Sequence, residues 1–397
     1  MCKHVITIFI IILLANISTV YAGVRGESNV DRLSSKILAE QRELLVHLPN
    51  NYQQNTELNY PVLYLLDGQR NLNHAAGTLD LLNQSDMAQE MIIIAIKNTH
   101  RTRDFTPTYD ESYDQWGISG GADNFLDFIE QELIPYVDKN YRTNSFKILS
   151  GHSLGGLLAV YTLQSRPQLF QAHFAFSPSL WWHEQVILKD AEKFLANTTK
   201  LNSYLYVNLG NENGDMLSAF QQYTELLKTH TPKGFSYNSD IDKQETHGTS
   251  ALIGQSHAYR YLYATLQCPK EVTAQGLPAI EQFFKMQSEK YGYQLKPSYR
   301  AINRAGYIAL NKKDIANAIK IFEVNVKNYP YKADSYDSLA DGFEANGQLN
   351  KALKMMNIAI KKSVNENVEN NSYKTHRANL LALIMEKNSQ GNGAVLE

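Results

Sequence analysis

Four short, nearly unbroken apolar runs punctuate the first 210 residues of the chain, at residues 61–66 (PVLYLL), 91–96 (MIIIAI), 146–149 (FKIL) and 204–209 (YLYVNL). Runs of this length without polar alternation are what a parallel sheet covered on both faces requires. Between them the period changes to that of a helix: in residues 124–137 (NFLDFIEQELIPYV), Phe125, Phe128, Ile129 and Leu133 share one face. Residues 235–241 predict a last strand, and 251–266 the helix that follows it. Strand–helix alternation from about residue 34 to residue 267 predicts an α/β fold built on a doubly wound, mostly parallel sheet.

Past Pro269 the strand pattern stops and a self-match begins. Ala318-Ile319 recurs as Ala352-Leu353, and Phe322 as Met356, each displaced by 34 residues. Helix pairs at that period, with small Ala at close contacts and Pro330 ending the first unit, resemble tetratricopeptide (TPR) repeats. Two units are visible between residues 299 and 364, fewer than the roughly three a free-standing array needs. The expectation is a smaller all-α, TPR-like helical domain docked on the first, with a protein partner as a further use of its surface.

Residues 1–22 carry Lys3, an apolar run over 5–15 and the small-residue ending Val20-Tyr21-Ala22 before Gly23. That is the layout of a secretory signal peptide cleaved after Ala22. The apolar run is short of the roughly 20 residues a membrane helix needs, so no stable span is expected after cleavage. The chain then divides into a signal peptide at 1–22, an α/β domain at 23–268 and a helical domain at 269–397. Composition adds exclusions: 38 Lys+Arg against 40 Asp+Glu lack the basic excess of a nucleic-acid binder, and 43% apolar residues exclude a disordered chain. Cys2 and Cys268 are the only cysteines, too few for a disulfide scaffold or a four-Cys zinc site. An exported chain left with one thiol points to a bacterial periplasm.

The most informative stretch is residues 146–156, where a strand runs through Gly151-His152-Ser153-Leu154-Gly155 into a helical pattern. G-x-S-x-G between strand and helix is a nucleophile elbow: glycines make room for the tight turn, and the strained central Ser153 projects above the sheet. A serine hydroxyl attacks only when a base takes its proton, and in this fold the order along the chain is Ser, acid, His. After strand 204–209 comes Gly210-Asn211-Glu212-Asn213-Gly214-Asp215, which offers Glu212, nearer the strand end, with Asp215 as the alternative acid. His247, in the loop between the last strand and the helix at 251–266, stands where the base belongs. His152 lies within the elbow and points away from Ser153. Two backbone N–H donors complete the requirement for acyl transfer. Leu154 supplies one, and Gln69, after the Asp67-Gly68 loop that Gly68 shapes, supplies the other.

These segments together resemble a known group. The LLDG loop, Arg101-Thr102-Arg103-Asp104-Phe105-Thr106-Pro107, the SGGADNF segment at 119–125, GHSLGG, Ser177-Pro178-Ser179-Leu180-Trp181-Trp182 and the His247-Gly248 loop are similar to the esterase family of α/β hydrolases. That family includes the enterobactin-type siderophore esterases (IroE and Fes), feruloyl esterases, S-formylglutathione hydrolases and mycolyltransferases. The resemblance covers about residues 34–267 and is nearest to the periplasmic IroE-like hydrolases. It implies Ser153 as nucleophile, His247 as base and the N–H groups of Gln69 and Leu154 as oxyanion hole, and it leaves the acid open, because some members work as Ser-His dyads. Trp181 and Trp182, with Trp116, read either as the lining of an aromatic acyl pocket or as core. Arg101 and Arg103 read either as contacts to an anionic substrate or as ion pairs with Asp104.

The function expected is hydrolysis of a small-molecule carboxylic ester through an acyl-enzyme, with no metal or organic cofactor. Two alternatives stand beside it: acyl transfer by the same residues, and a TPR-mediated binding scaffold with a vestigial hydrolase domain.

Overall fold

The computed structural model describes residues 28–50, 52–53, 55–85, 87–365 and 370–393, so the signal peptide expected at 1–22 and Cys2 lie outside the described residues. One sheet organises the first part of the chain. Its eight strands are β1 (Ser28–Ser35), β2 (Glu40–His47), β3 (Tyr60–Leu65), β4 (Ile92–Ile96), β5 (Thr143–His152), β6 (Ala172–Phe176), β7 (Tyr204–Leu209) and β8 (Ser236–Ile241). They lie in the order β1-β2-β4-β3-β5-β6-β7-β8, with β1 and β2 antiparallel and every pair from β4 to β8 parallel.

The unbroken apolar runs have a direct cause. Along β3, Val62 and Tyr64 feed one core and Leu63 and Leu65 the other, because successive side chains leave opposite faces of the sheet. The helices Leu154–Ser165, Trp182–Asn197 and Asp215–Thr229, with the helical stretch from Ala122 to Asn140, cover the first core. Gly68–Gln84 and Ser250–Leu266 cover the second. Each fully buried Leu, Ile, Val or Phe contributes about 1.5–3 kcal/mol, which makes the double cover the main source of stability.

The helix predicted at 124–137 is longer and passes through a π turn at Ile129–Leu133. Pro135 cannot donate a bond to Gln131, and the wide turn lies just ahead of it. Beyond the four apolar runs and the last strand expected at 235–241, three strands go unread in the sequence. β1 and β2 form the polar margin of the sheet, where Arg42 and Glu40 carry an ion-pair network, and β6 is a five-residue strand with a fully buried His173.

From Lys270 onward every described element is a helix, and no described helix is long and apolar enough to cross a membrane. The helices starting at Tyr299 and Ala333, and those starting at Ile315 and Leu349, are offset by 34 residues in both cases. Ile302, Phe322, Ala340, Ala352 and Met356, with Leu380 of the helix Asn371–Gly393, form a common core. Gly306 is required there, since a Cβ at that position would fall 2.3 Å from the Phe322 ring.

This helical part joins the sheet at the N-terminal ends of the parallel strands. Tyr291 and Tyr293 pack on Phe146 near the start of β5, with ring centroids 5.7 and 4.7 Å away, and Tyr291 Oη lies 2.8 Å from Thr265 Oγ1. A cleft of about 520 Å³ lined by Tyr60, Asn83, Tyr293 and Tyr329 separates the two parts beside this seam. The residues singled out as chemical lie past the other end of the sheet: Phe146 and His152 of β5 are separated by about 20 Å of extended chain.

Candidate active site

β5 ends in a backbone that a side chain rarely accepts. Ser153 has φ 61° and ψ −117°, a conformation that costs on the order of 1–3 kcal/mol and is held only where its surroundings enforce it. They do so here. Ser153 N–H donates to Phe176 O on β6 (2.9 Å), and Ser153 O accepts from Leu157 and Ser179 N–H (2.9 and 3.1 Å). Gly151 faces Gly155 so closely that a Cβ on it would stand 2.3 Å from Gly155 O. The turn places Ser153 at the N-terminus of the helix Leu154–Ser165, where the first N–H groups have no acceptor within the helix and the helix dipole favours negative charge.

The chain then returns twice to this point. Glu212 follows β7 and His247 follows β8, at the same end of the sheet. His247 Nε2 lies 3.1 Å from Ser153 Oγ, and His247 Nδ1 lies 2.8 Å from Glu212 Oε2. An ionised carboxylate only accepts, so Nδ1 carries the proton and Nε2 presents its lone pair to the hydroxyl. Glu212 Oε1 accepts from Ser177 Oγ–H at 2.5 Å. Burial alone would raise the Glu212 carboxyl, but the bonds from His247 and Ser177 outweigh it and hold it below its ordinary 4.5. Asp215, the alternative acid, is exposed at the start of the helix Asp215–Thr229, and the carboxylate on His247 is Glu212.

Asp67, with φ 54°, turns the chain from β3 into the helix Gly68–Gln84. The left-handed residue is therefore Asp67 and not the glycine. Gly68 is needed for a different reason: a Cβ there would lie 2.6 Å from the Ala95 carbonyl carbon on β4. The loop touches the elbow, since a Cβ on Gly155 would lie 3.4 Å from Asp67 Oδ2. Gln69 sits in the first turn, where Arg70 and Asn71 N–H return to Asp67 O and its own side-chain Oε1 accepts from Asn98 N–H (3.3 Å).

Arg101 departs from its expected partner. Its guanidinium is bidentate on Asp67 (Nε–Oδ1 2.7 Å, Nη2–Oδ2 3.0 Å) and also donates to His152 O (3.0 Å). Asp104 is turned inward, where Arg42 and Arg103 hold it. Arg101 thus ties the loop to the elbow while its exposed edge reaches the pocket wall.

That pocket, about 400 Å³ and open to solvent, is lined by Ser153, Ser179 and His247 together with Trp116, Trp181 and Met216. Trp116 is 55% exposed. Trp182 does not line the pocket: it is fully buried, and its Nε1–H donates to Thr108 Oγ1 (3.1 Å). Tyr113 packs at tilted angles against all three indoles, with ring centroids 4.7–5.6 Å apart. Gly68 likewise stays behind the wall. Three residues with a place here escape sequence reasoning. Ser177 holds Glu212, Ser179 Oγ stands 3.3 Å from Ser153 Oγ, and His152 Nε2 lies 2.6 Å from His247 O. The Ser177-Pro178-Ser179 stretch was visible as part of the resemblance, but no spacing rule assigns these hydroxyls a role. The described residues bring one set of possible metal ligands together, Asp337, Asp341 and His376, in the helical part.

A family model described as "Putative esterase" matches residues 35–259. The ferri-bacillibactin esterase BesA of Bacillus subtilis is 32% identical over 172 residues, 38% of this chain and 58% of BesA. The siderophore triacetylfusarinine C esterase of Aspergillus fumigatus is 47% identical over 78 residues, 19% of this chain and 27% of that protein. The chain therefore spans little more than half of one curated relative and about a quarter of the other. Among solved structures, an IroE-like serine hydrolase from Shewanella oneidensis superposes with a TM-score of 0.66 at 28% identity, covering 76% of this chain and 100% of that one. An uncharacterised protein from Capnocytophaga ochracea, at 16% identity, shares the fold over 89% of this chain with a TM-score of 0.61.

Proposed function

This chain belongs to the "Putative esterase" family, and from that premise we propose that it hydrolyses small-molecule carboxylic esters through an acyl-enzyme on Ser153. The single observation that carries the reading is the run of contacts Ser153 Oγ to His247 Nε2 (3.1 Å) and His247 Nδ1 to Glu212 (2.8 Å), presented at a helix N-terminus. His247 Nε2 takes the hydroxyl proton as Oγ attacks the ester carbonyl. The N–H groups of Leu154 and Gln69 receive the oxyanion, and Glu212 steadies the imidazolium that forms. His247 then protonates the leaving alkoxide, and water, deprotonated by the same imidazole, releases the acid and restores Ser153.

The substrate class proposed is a siderophore-type ester. BesA and the fungal relative are named for such substrates, and the open pocket with Trp116 and Trp181 at its rim suits a bulky, ring-bearing acyl group. The apolar leader at residues 1–22 would place this chemistry outside the cytoplasm. The TPR-like helices, at the far end of the sheet, serve as a support for the catalytic part in this reading. Purified protein should hydrolyse p-nitrophenyl butyrate, and Ser153→Ala should abolish that turnover. Retained turnover in the variant would refute the mechanism. Comparing kcat/KM across short acyl esters, feruloyl esters and trilactone siderophores tests the substrate class.

A further inference from the structure

His247 sits in a loop, and its own neighbours hold it only locally: Thr249 and Ser250 N–H both return to Thr246 O (3.1 and 2.9 Å). Its carbonyl is directed back at the elbow, where His152 Nε2 lies 2.6 Å away. A carbonyl oxygen only accepts, so Nε2 carries the proton and the His152 imidazole is the donor. Two other groups reach the same turn: Arg70 Nη2 donates to Gly248 O (3.0 Å) and Ser250 Oγ to His247 O (3.2 Å). Arg70 is exposed, and Ser250 belongs to the loop's own helix. His152 is 4% exposed and stands at the end of a central strand, so it is the rigid member of the three. The two imidazole rings also lie with centroids 4.7 Å apart.

We propose that His152 is a positioning residue, whose Nε2–H bond to the His247 carbonyl locks the base's loop to the same strand end that carries Ser153. The inference deepens the reading of Ser153 and His247 given above and rests on it. Residues 152 and 153 are adjacent, so the Ser153–His247 distance is set by a closed ring of contacts rather than by the length of the loop. His152 keeps the same form while its neighbour exchanges protons. Burial first, and the nearby His247 ring second, bring its pKa down to about 4, with Arg70 acting in the same direction and the bond to the His247 carbonyl, then Asp67, against it.

A displacement of about 1 Å between reacting groups can cost roughly a hundredfold in rate. On p-nitrophenyl butyrate, His152→Ala and His152→Phe should both lower kcat by about 10–100-fold with KM within about twofold. His152→Gln, whose amide N–H falls near the Nε2 position, should recover most of the loss. The phosphonylation rate of Ser153 by a fluorophosphonate, read by intact mass, should follow the same order. Wild-type kcat in a folded His152→Ala, equal losses in the Gln and Phe variants, or a loss confined to KM would overturn the proposal. If the Ala variant does not fold, the Gln and Phe pair carries the test. Ser153→Ala and His247→Ala belong in the same series. Turnover surviving in either refutes the reading of the site, whereas two dead variants beside a wild-type His152→Ala refute only the positioning.

Discussion

At Glu212, burial opposes ionisation while His247 and Ser177 favour it, and the bonds win. A carboxyl whose folded value is depressed gives stability that is complete above its unfolded value and is lost as pH falls through the folded one. Its contribution is therefore whole from about pH 4.5 upward and disappears below that. Replacing Ser177 by Ala removes one of the opposing donors, so the Glu212 carboxyl should titrate at higher pH. A carbon-13 titration of that carboxyl checks this, and an unmoved midpoint would take Ser177 out of the account. Glu212→Gln keeps the shape but replaces an acceptor-only group with an amide that can also donate, so it no longer enforces the Nδ1–H tautomer. The expected cost is roughly two to four orders of magnitude in kcat with KM nearly unchanged, measured on the same ester.

Among the elements, the elbow was the most legible in sequence, because its glycines answer a local demand. Gly151→Ala should fail to fold or lose activity outright, since its Cβ has a backbone carbonyl 2.3 Å away that cannot yield; a folded variant with wild-type turnover would contradict that packing. The strands β3, β4, β5 and β7 were readable because two cores demand apolar residues at every position. β1 and β2 were not, because this antiparallel margin leaves polar positions exposed along its strands. For Arg101 the sequence offers an anionic substrate or Asp104, whereas its partner, Asp67, is 34 residues away across two strand ends. Partnerships made by folding leave no spacing to read.

The last helix, Asn371–Gly393, carries a further pH-dependent contact. Hydrogen bonds from His376 to Asp337 and Glu344 of the helix Ala333–Ala345 raise the His376 pKa to about 9, against the cost of its burial. A raised imidazole stabilises fully below its unfolded value of about 6.5, and the effect fades as pH climbs through 9. The Tm of the protein should therefore fall between pH 6.5 and 9 as this contact is lost, and His376→Asn should flatten that dependence.

At the scale of the molecule, the helical part is a structural partner of the sheet and not a cover for the pocket. Tyr291 and Tyr293 shield Phe146, Tyr204 and Leu266 in one apolar cluster. A chain ending before Pro269 would bare that cluster, and such patches drive aggregation. The truncated protein should lose solubility and several degrees of Tm, while any molecules that stay folded should keep the wild-type kcat. A soluble, fully stable truncation would count against the seam. The placement also gives the molecule a handle. Met385 is 69% exposed on the terminal helix, whereas the Cys268 thiol is half-buried, and burial pushes it up to about 11. Thiol coupling at Met385→Cys should then be selective, and enzyme anchored to a bead by that point should present an unobstructed mouth, with kcat/KM for small esters within about twofold of the free protein.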